Sequence, residues 1–249
     1  MCTANPTYPI TLSDFTTFSS IKYNTLPEVE VASEILQQQH PNFTELLDKI
    51  FSLTKEYSID LGVRLIHKHM QIEEGKVMIE KFQFHQKSPA FVTSADFPND
   101  QIYPSSWLLE DDSKLLVFEY STDPRVKHTF EKIIQVPSVF LEICKLIREY
   151  HLEDFFAPCI TGRDSLKFFE IGNGFLEATC PETKVSILKK RPHDYNGKIV
   201  HALWAYPVDK YCFSGEYKKS NQDDSNAFGC SNCVSCSTCY TCSHCTFSC

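Results

Sequence analysis

The stretch Leu61-Gly62-Val63-Arg64-Leu65-Ile66-His67-Lys68-His69-Met70-Gln71-Ile72-Glu73-Glu74-Gly75-Lys76-Val77-Met78-Ile79-Glu80-Lys81-Phe82 decides how the chain is read. Residues 59–72 and 77–85 carry the two-residue period of strands, and Glu73-Glu74-Gly75-Lys76 between them reads as a turn. The stretch is therefore expected to be a β-hairpin. Alternation sets Leu61, Val63, Leu65, His67 and His69 on one face and Arg64, Ile66, Lys68 and Met70 on the other. A two-residue and a four-residue loop impose the same register, with Leu65 facing Phe84, His67 facing Phe82 and His69 facing Glu80.

A His-x-His pair with a carboxylate on the neighbouring strand is the ligand set of a two-histidine, one-carboxylate metal site. The same three side chains could instead hold an imidazole in place as a general base. His67, His69 and Glu80 are thus the candidate metal ligands of the folded part. The bland reading is a pair of half-buried histidines satisfied by Glu80 and backbone.

Working outward, residues 27–39 and 42–57 have helical spacing, with Asn42 capping the second. Beyond the central stretch, residues 107–110 and 115–120 form a second expected hairpin around Asp111-Asp112-Ser113. Asp123-Pro124 then caps a helix to about Gln135, and another begins at Pro137 with Phe140, Ile143, Cys144 and Ile147 inward. Residues 166–171, a Gly172-Asn173-Gly174 turn, and residues 175–179, 185–189 and 199–206 return to strands. Strands in pairs and helices in blocks favour an α+β fold, with an antiparallel sheet of hairpins packed against helices.

That stretch also carries two resemblances. Gly62 to Glu73 resembles the first half of the cupin motif, which implies His67, His69 and Glu73 as metal ligands. Gly62 stands one residue too close, no glycine stands seven residues after Glu73, and the motif's second half has no counterpart. Leu61 to Gly75 is similar to the recurring segment of a set of uncharacterised, mostly fungal proteins in which a strand reads Leu-Leu-His-x-His-Phe. Here Met70 stands in place of Phe, and that resemblance carries no activity with it.

The chain has 249 residues, enough for one sizeable core, and its 24 Lys and Arg against 32 Asp and Glu give a net charge of -8. Such a surface repels a polyanion, so no nucleic-acid partner is expected. The basic run Lys189-Lys190-Arg191 precedes Pro192 and reads as a solvated turn. Met1 to Pro6 lacks the features of a secretory signal, and no apolar run is long enough to span a membrane. A cytoplasmic location follows as the expectation, with Asn42-Phe43-Thr44 unglycosylated and the cysteines reduced. Cys159-Ile160-Thr161-Gly162-Arg163 places its arginine too near for a phosphate-binding cysteine loop and reads as an ordinary loop.

Seven of the twelve cysteines fall in the last twenty residues. Cys230, Cys233, Cys236, Cys239, Cys242 and Cys245 recur every three residues, and Cys249 follows. In an extended three-residue-per-turn conformation they would line one edge roughly 9 Å apart. No charged side chain occurs from Ser225 onward. The composition cannot bury enough apolar area to offset ordering, so the organisation expected is a folded domain at 1–215 and a flexible tail at 216–249.

Each Cys-x-x-Cys pair suits a soft ion, which makes zinc or another thiophilic metal the expected cofactor, if the chain has one. The run Cys239-x-x-Cys242-x-x-Cys245-x-x-x-Cys249 also matches an iron-sulfur spacing without its closing proline. A third reading is S-acylation, which would make a membrane surface the partner. The function expected overall is a soluble binding or scaffold module with a thiol-rich tail. The alternatives are a metal-dependent enzyme centred on His67, His69 and Glu80, and a membrane-surface protein anchored by acyl groups.

Overall fold

A computed structural model describes residues 15–83, 88–96, 102–111, 114–161, 175–180, 185–190, 200 and 202–205. Three helices come first: α1 (Ser20–Asn24), α2 (Val29–Gln39) and α3 (Thr44–Tyr57). Ser19 caps α1 by accepting from the Lys22 amide, and Asn42 accepts from the Thr44 amide at the entrance to α3. Strands β1 (Leu61–Leu65), β2 (Lys76–Gln83), β3 (Ser88–Asp96), β4 (Tyr103–Asp111) and β5 (Lys114–Ser121) follow. Then come α4 (Pro124–Gln135), α5 (Ser138–Glu149), β6 (Phe156–Ile160), β7 (Phe175–Cys180), β8 (Val185–Lys190) and β9 (Leu203–Ala205). Asp123 Oδ1 accepts from the Arg125 amide and Pro124 occupies the first turn of α4, as the sequence leads one to expect.

The strands join in one sheet of order β7-β8-β3-β2-β5-β4-β6-β1-β9. The fold is α+β. Every pairing between these strands is antiparallel except β2 with β5, which run parallel. The expected hairpin β4–β5 forms, with Trp107 opposite Val117 and Leu109 opposite Leu115.

The hairpin expected between residues 59–72 and 77–85 does not form. Its turn does: the Lys76 amide donates to the Glu73 carbonyl, and Gly75 takes the positive φ of 79° that glycine accommodates without strain. But β1 ends at Leu65 and pairs with β6 and β9, while β2 pairs with β3 and β5. After Leu65 the backbone bonds scatter, Leu65 N to Ala202 O, Ile66 N to Phe155 O and Lys68 N to Pro27 O, so residues 66–75 are an irregular segment and not a strand. Glu80 lies opposite Val92 and Ser121, not opposite His69. Residues 88–96, which the alternation reading passes over, supply the true antiparallel neighbour of β2.

Each face of the sheet has its own core. On the first, Leu61, Val63, Leu65, Val77, Ile79, Trp107, Leu109, Leu115 and Val117 pack with the buried stripes of α2 to α5. Trp107 lies edge-on to Phe140 with ring centroids 4.8 Å apart, and its Nε1 donates to Phe15 O. On the second face, Met78, Leu108, Leu116, Phe118 and Ala157 meet Tyr23 and Leu26 from the α1 region and Ile66, Met70 and Ile72 from the irregular segment. Among the described residues that second face is covered by one five-residue helix plus residues 66–75. The two are fastened together at Asn24, whose Nδ2 donates to Ile72 O at 2.8 Å and whose Oδ1 accepts from Ile72 N at 2.9 Å. Residues 206–249, with the whole cysteine repeat, lie outside the described residues, as do 84–87, 166–171 and the Gly172–Gly174 turn.

Candidate functional site

The polar centre of the molecule lies on the second face, where Arg64, His67, His69 and Glu119 are all buried. Arg64 stands between Val63 and Leu65 on β1, whose side chains enter the first core. Alternation therefore turns its guanidinium to the other side, where it lies 5.1 Å from the centre of the Phe118 ring. His67 and His69 reach the same side because the chain leaves the strand after Leu65.

Glu119 needs a further device. In a regular strand it would share the face of Val117 and enter the apolar core beside Trp107. The β4–β5 register instead shifts twice, pairing Pro104 with Tyr120, Ser106 with Glu119 and Trp107 with Val117, so Ser105 and Phe118 each lack an opposite residue. Such irregularities re-aim side chains. Phe118 and Glu119 consequently both meet the second-face group, while Tyr120 returns to the first core. The Ser105 hydroxyl bonds Glu119 O at 3.0 Å and fixes the distortion.

Both carboxylate oxygens of Glu119 are engaged. Oε2 accepts from Arg64 Nη1, and His69 Nε2 donates to Oε1 at 2.8 Å. The His69 amide donates to the Tyr23 hydroxyl at 2.9 Å. His67 Nδ1 donates to Leu65 O at 2.9 Å, and the two imidazole centroids are 4.8 Å apart. Burial pushes the Glu119 pKa up, but the Arg64 guanidinium, the His69 hydrogen bond and the charges of both imidazoles outweigh it, holding the carboxyl below the ordinary range. For Tyr23 burial prevails and the phenol is pushed far up, so it stays protonated. Burial likewise pushes the Cys159 thiol, paired in register with Ser106, up to about 12 against the lowering effect of Arg64.

The sequence-derived candidates are thus partly reunited. His67 and His69 are neighbours, His69 bonds Glu119, and Glu80 stands on β2 opposite Val92 and Ser121. Glu73 lies at the surface in an ion pair with Lys76 at 3.0 Å. Among the described residues no group of three or more His, Cys, Asp or Glu is arranged to hold a metal ion. Cys230, Cys233, Cys236, Cys239, Cys242, Cys245 and Cys249 lie outside the described residues. The alternation reading missed Arg64, Glu119 and Tyr23, although a signal existed. One carboxylate inside Leu115-Leu116-Val117-Phe118-Glu119-Tyr120 and one guanidinium inside Leu61–Leu65 are charges of opposite sign in otherwise apolar strands, and buried charges are paired.

Chemically the cluster can do two things. It can tie the segment 66–75 to the sheet, and it can hold each imidazole in one orientation. Against protein-family models, curated proteins and solved structures the chain finds no match. Among the described residues no helix is long and apolar enough to cross a membrane.

Proposed function

We propose that the chain is a binding module in which the α+β body is the support and the thiol-rich residues 230–249 hold a thiophilic ion such as Zn(II) or Cu(I). The observation that carries this reading is the closure of the Arg64–Glu119–His69 cluster. The buried carboxylate that could have made the body a catalytic metal centre has both oxygens committed to its own neighbours. The chain's densest set of soft donors is then the run of seven cysteines spaced mostly by three. Tetrahedral thiolate coordination takes four sulfurs per ion, so seven thiols suffice for one closed site or two that share ligands.

Free thiols are mostly protonated at neutral pH, and each must lose its proton to bind. Titration of the reduced full-length chain with Zn(II) in weak buffer should therefore release about four protons per ion bound. The same chain with all seven tail cysteines changed to serine should release far fewer. Equal proton release from the two chains removes the proposal.

A further inference from the structure

We propose that the gap between β2 and β5 is a docking slot for an extended peptide of another polypeptide, one with aromatic residues at its first and fourth positions, and that the chain keeps it closed with its own residues 15–18. Among the described residues the two strands pair only through Ile79 with Tyr120 and Glu80 with Ser121. Three residues earlier on β5, Val117 has Phe18 as its parallel neighbour instead. The Val117 amide donates to Thr17 O at 2.6 Å and so faces away from Trp107 of β4, on the side of β2. Phe15 packs in the first core and Tyr23 in the second, with Phe18 against both, so residues 15–18 form a strap that threads the sheet.

The strap is held by its main chain. Three successive carbonyls each take a donor from the sheet: Phe15 O from Trp107 Nε1 at 2.9 Å, Thr16 O from the Tyr120 hydroxyl at 2.8 Å, and Thr17 O from the Val117 amide. An aromatic ring anchors each end, Phe15 at 5.6 Å from the Phe140 ring and Phe18 at 6.1 Å from that of Tyr120. Thr16 is half-buried and Thr17 exposed, so the middle positions make little demand on side-chain type. Main-chain bonds for affinity and spaced side-chain pockets for selection are how an added strand is recognised, and another segment with Phe-x-x-Phe spacing offers the same set. Withdrawal of the strap takes the acceptor from Trp107 Nε1 inside the core, and a buried donor without an acceptor is costly. Whatever releases the strap must therefore replace it. The helix that follows does not depend on the strap: Tyr23 is buried in the second core with its hydroxyl accepting from the His69 amide, and Asn24 bonds Ile72 twice. Four residues can thus part from the sheet at Ser19 at less cost than opening the sheet itself.

The slot involves none of the tail cysteines, and its test needs no metal. The probe is a fluorescent peptide spanning Ser13 to Ser19, beside a second in which both phenylalanines are alanine. In the full-length chain with Phe15→Ala the strap holds its slot less firmly. Apparent affinity scales with the open fraction, so the first peptide should bind that variant about 10- to 100-fold more tightly than wild type, and the second should bind neither. A measurement on the wild-type chain does not depend on the variant folding. There the Val117 amide should exchange faster than that of Leu116, which lies in the β4–β5 ladder, and an excess of the first peptide should slow it. Equal exchange at the two amides, no effect of the peptide on Val117, or equal binding of both peptides overturns the proposal. Self-association of the wild-type chain that the first peptide disrupts would assign the slot to a second copy and likewise overturn it.

Discussion

His69 Nε2 and Glu119 Oε1 lie 2.8 Å apart inside the protein although 50 residues separate them in the chain. The contact joins an irregular segment to a distorted strand, and Arg64 on a third element balances the carboxylate from the other side. Taking one member from a buried charge pair leaves the other uncompensated, at a cost of about 3–5 kcal/mol. Glu119→Gln keeps the shape and removes the charge, so at neutral pH it should lower stability by an amount of that order. The pH dependence has a definite sign. The folded-state pKa of Glu119 is depressed, so its contribution is complete above the ordinary carboxylate range of about 4.3 and is lost as pH falls through the folded value. Urea midpoints should accordingly separate wild type and variant widely at neutral pH and converge in acid. Parallel curves would show that the pair does not hold the fold.

The cover over the second face depends on Asn24. Replacing it with alanine removes two hydrogen bonds to Ile72, each worth about 0.5–1.5 kcal/mol, while α2 to α5 keep their contacts with the first face. Amide exchange in Asn24→Ala should quicken at His69 and Ile72 and stay unchanged at Leu116. Uniform acceleration would mean that the cover and the sheet open as one unit.

Gly62 on β1 lies opposite Ala205 of β9, with no room between them for a side chain. A Cβ there would lie 2.3 Å from Trp204 O and 2.9 Å from Thr161 Cγ2, and the first of these is backbone that cannot swing aside. Gly62→Ala should destabilise the chain by about 1–3 kcal/mol and loosen residues 203–205. A thermal midpoint equal to wild type would contradict the close approach.

Much of this architecture was legible in the chain. The stripe Leu46-Leu47-Ile50, the Asp123-Pro124 start and the turn ahead of Lys114 each speak through neighbours a few residues away, and α3, α4 and the β4–β5 hairpin form accordingly. The partner of β1 is not a local property. The turn at Glu73–Lys76 forms, yet β6 and β9, far along the chain, take both edges of β1, including the one that the hairpin reading assigned to β2. Alternation could not anticipate Glu119 either, since its orientation comes from two compensating register shifts that no period-two pattern contains. What remained readable was the isolated charge itself, with Arg64 as its answer.

Among the described residues, Cys144 and Cys159 are buried free thiols. Burial pushes Cys144 and Cys159 up to about 12, leaving almost no thiolate at neutral pH. Both should resist alkylation until the chain is unfolded by denaturant, and reaction of either in the native state would show that its core opens readily.

The most direct test of the proposed function is a map of thiol protection. The reduced full-length chain, treated with a cysteine alkylating agent at neutral pH, should be modified fastest at the cysteines between 230 and 249. One to two equivalents of Zn(II) should protect at least four of those thiols, the number a tetrahedral thiolate site requires, and removing the ion with a chelator should restore their reactivity. Unchanged alkylation of all seven in the presence of zinc would contradict the account.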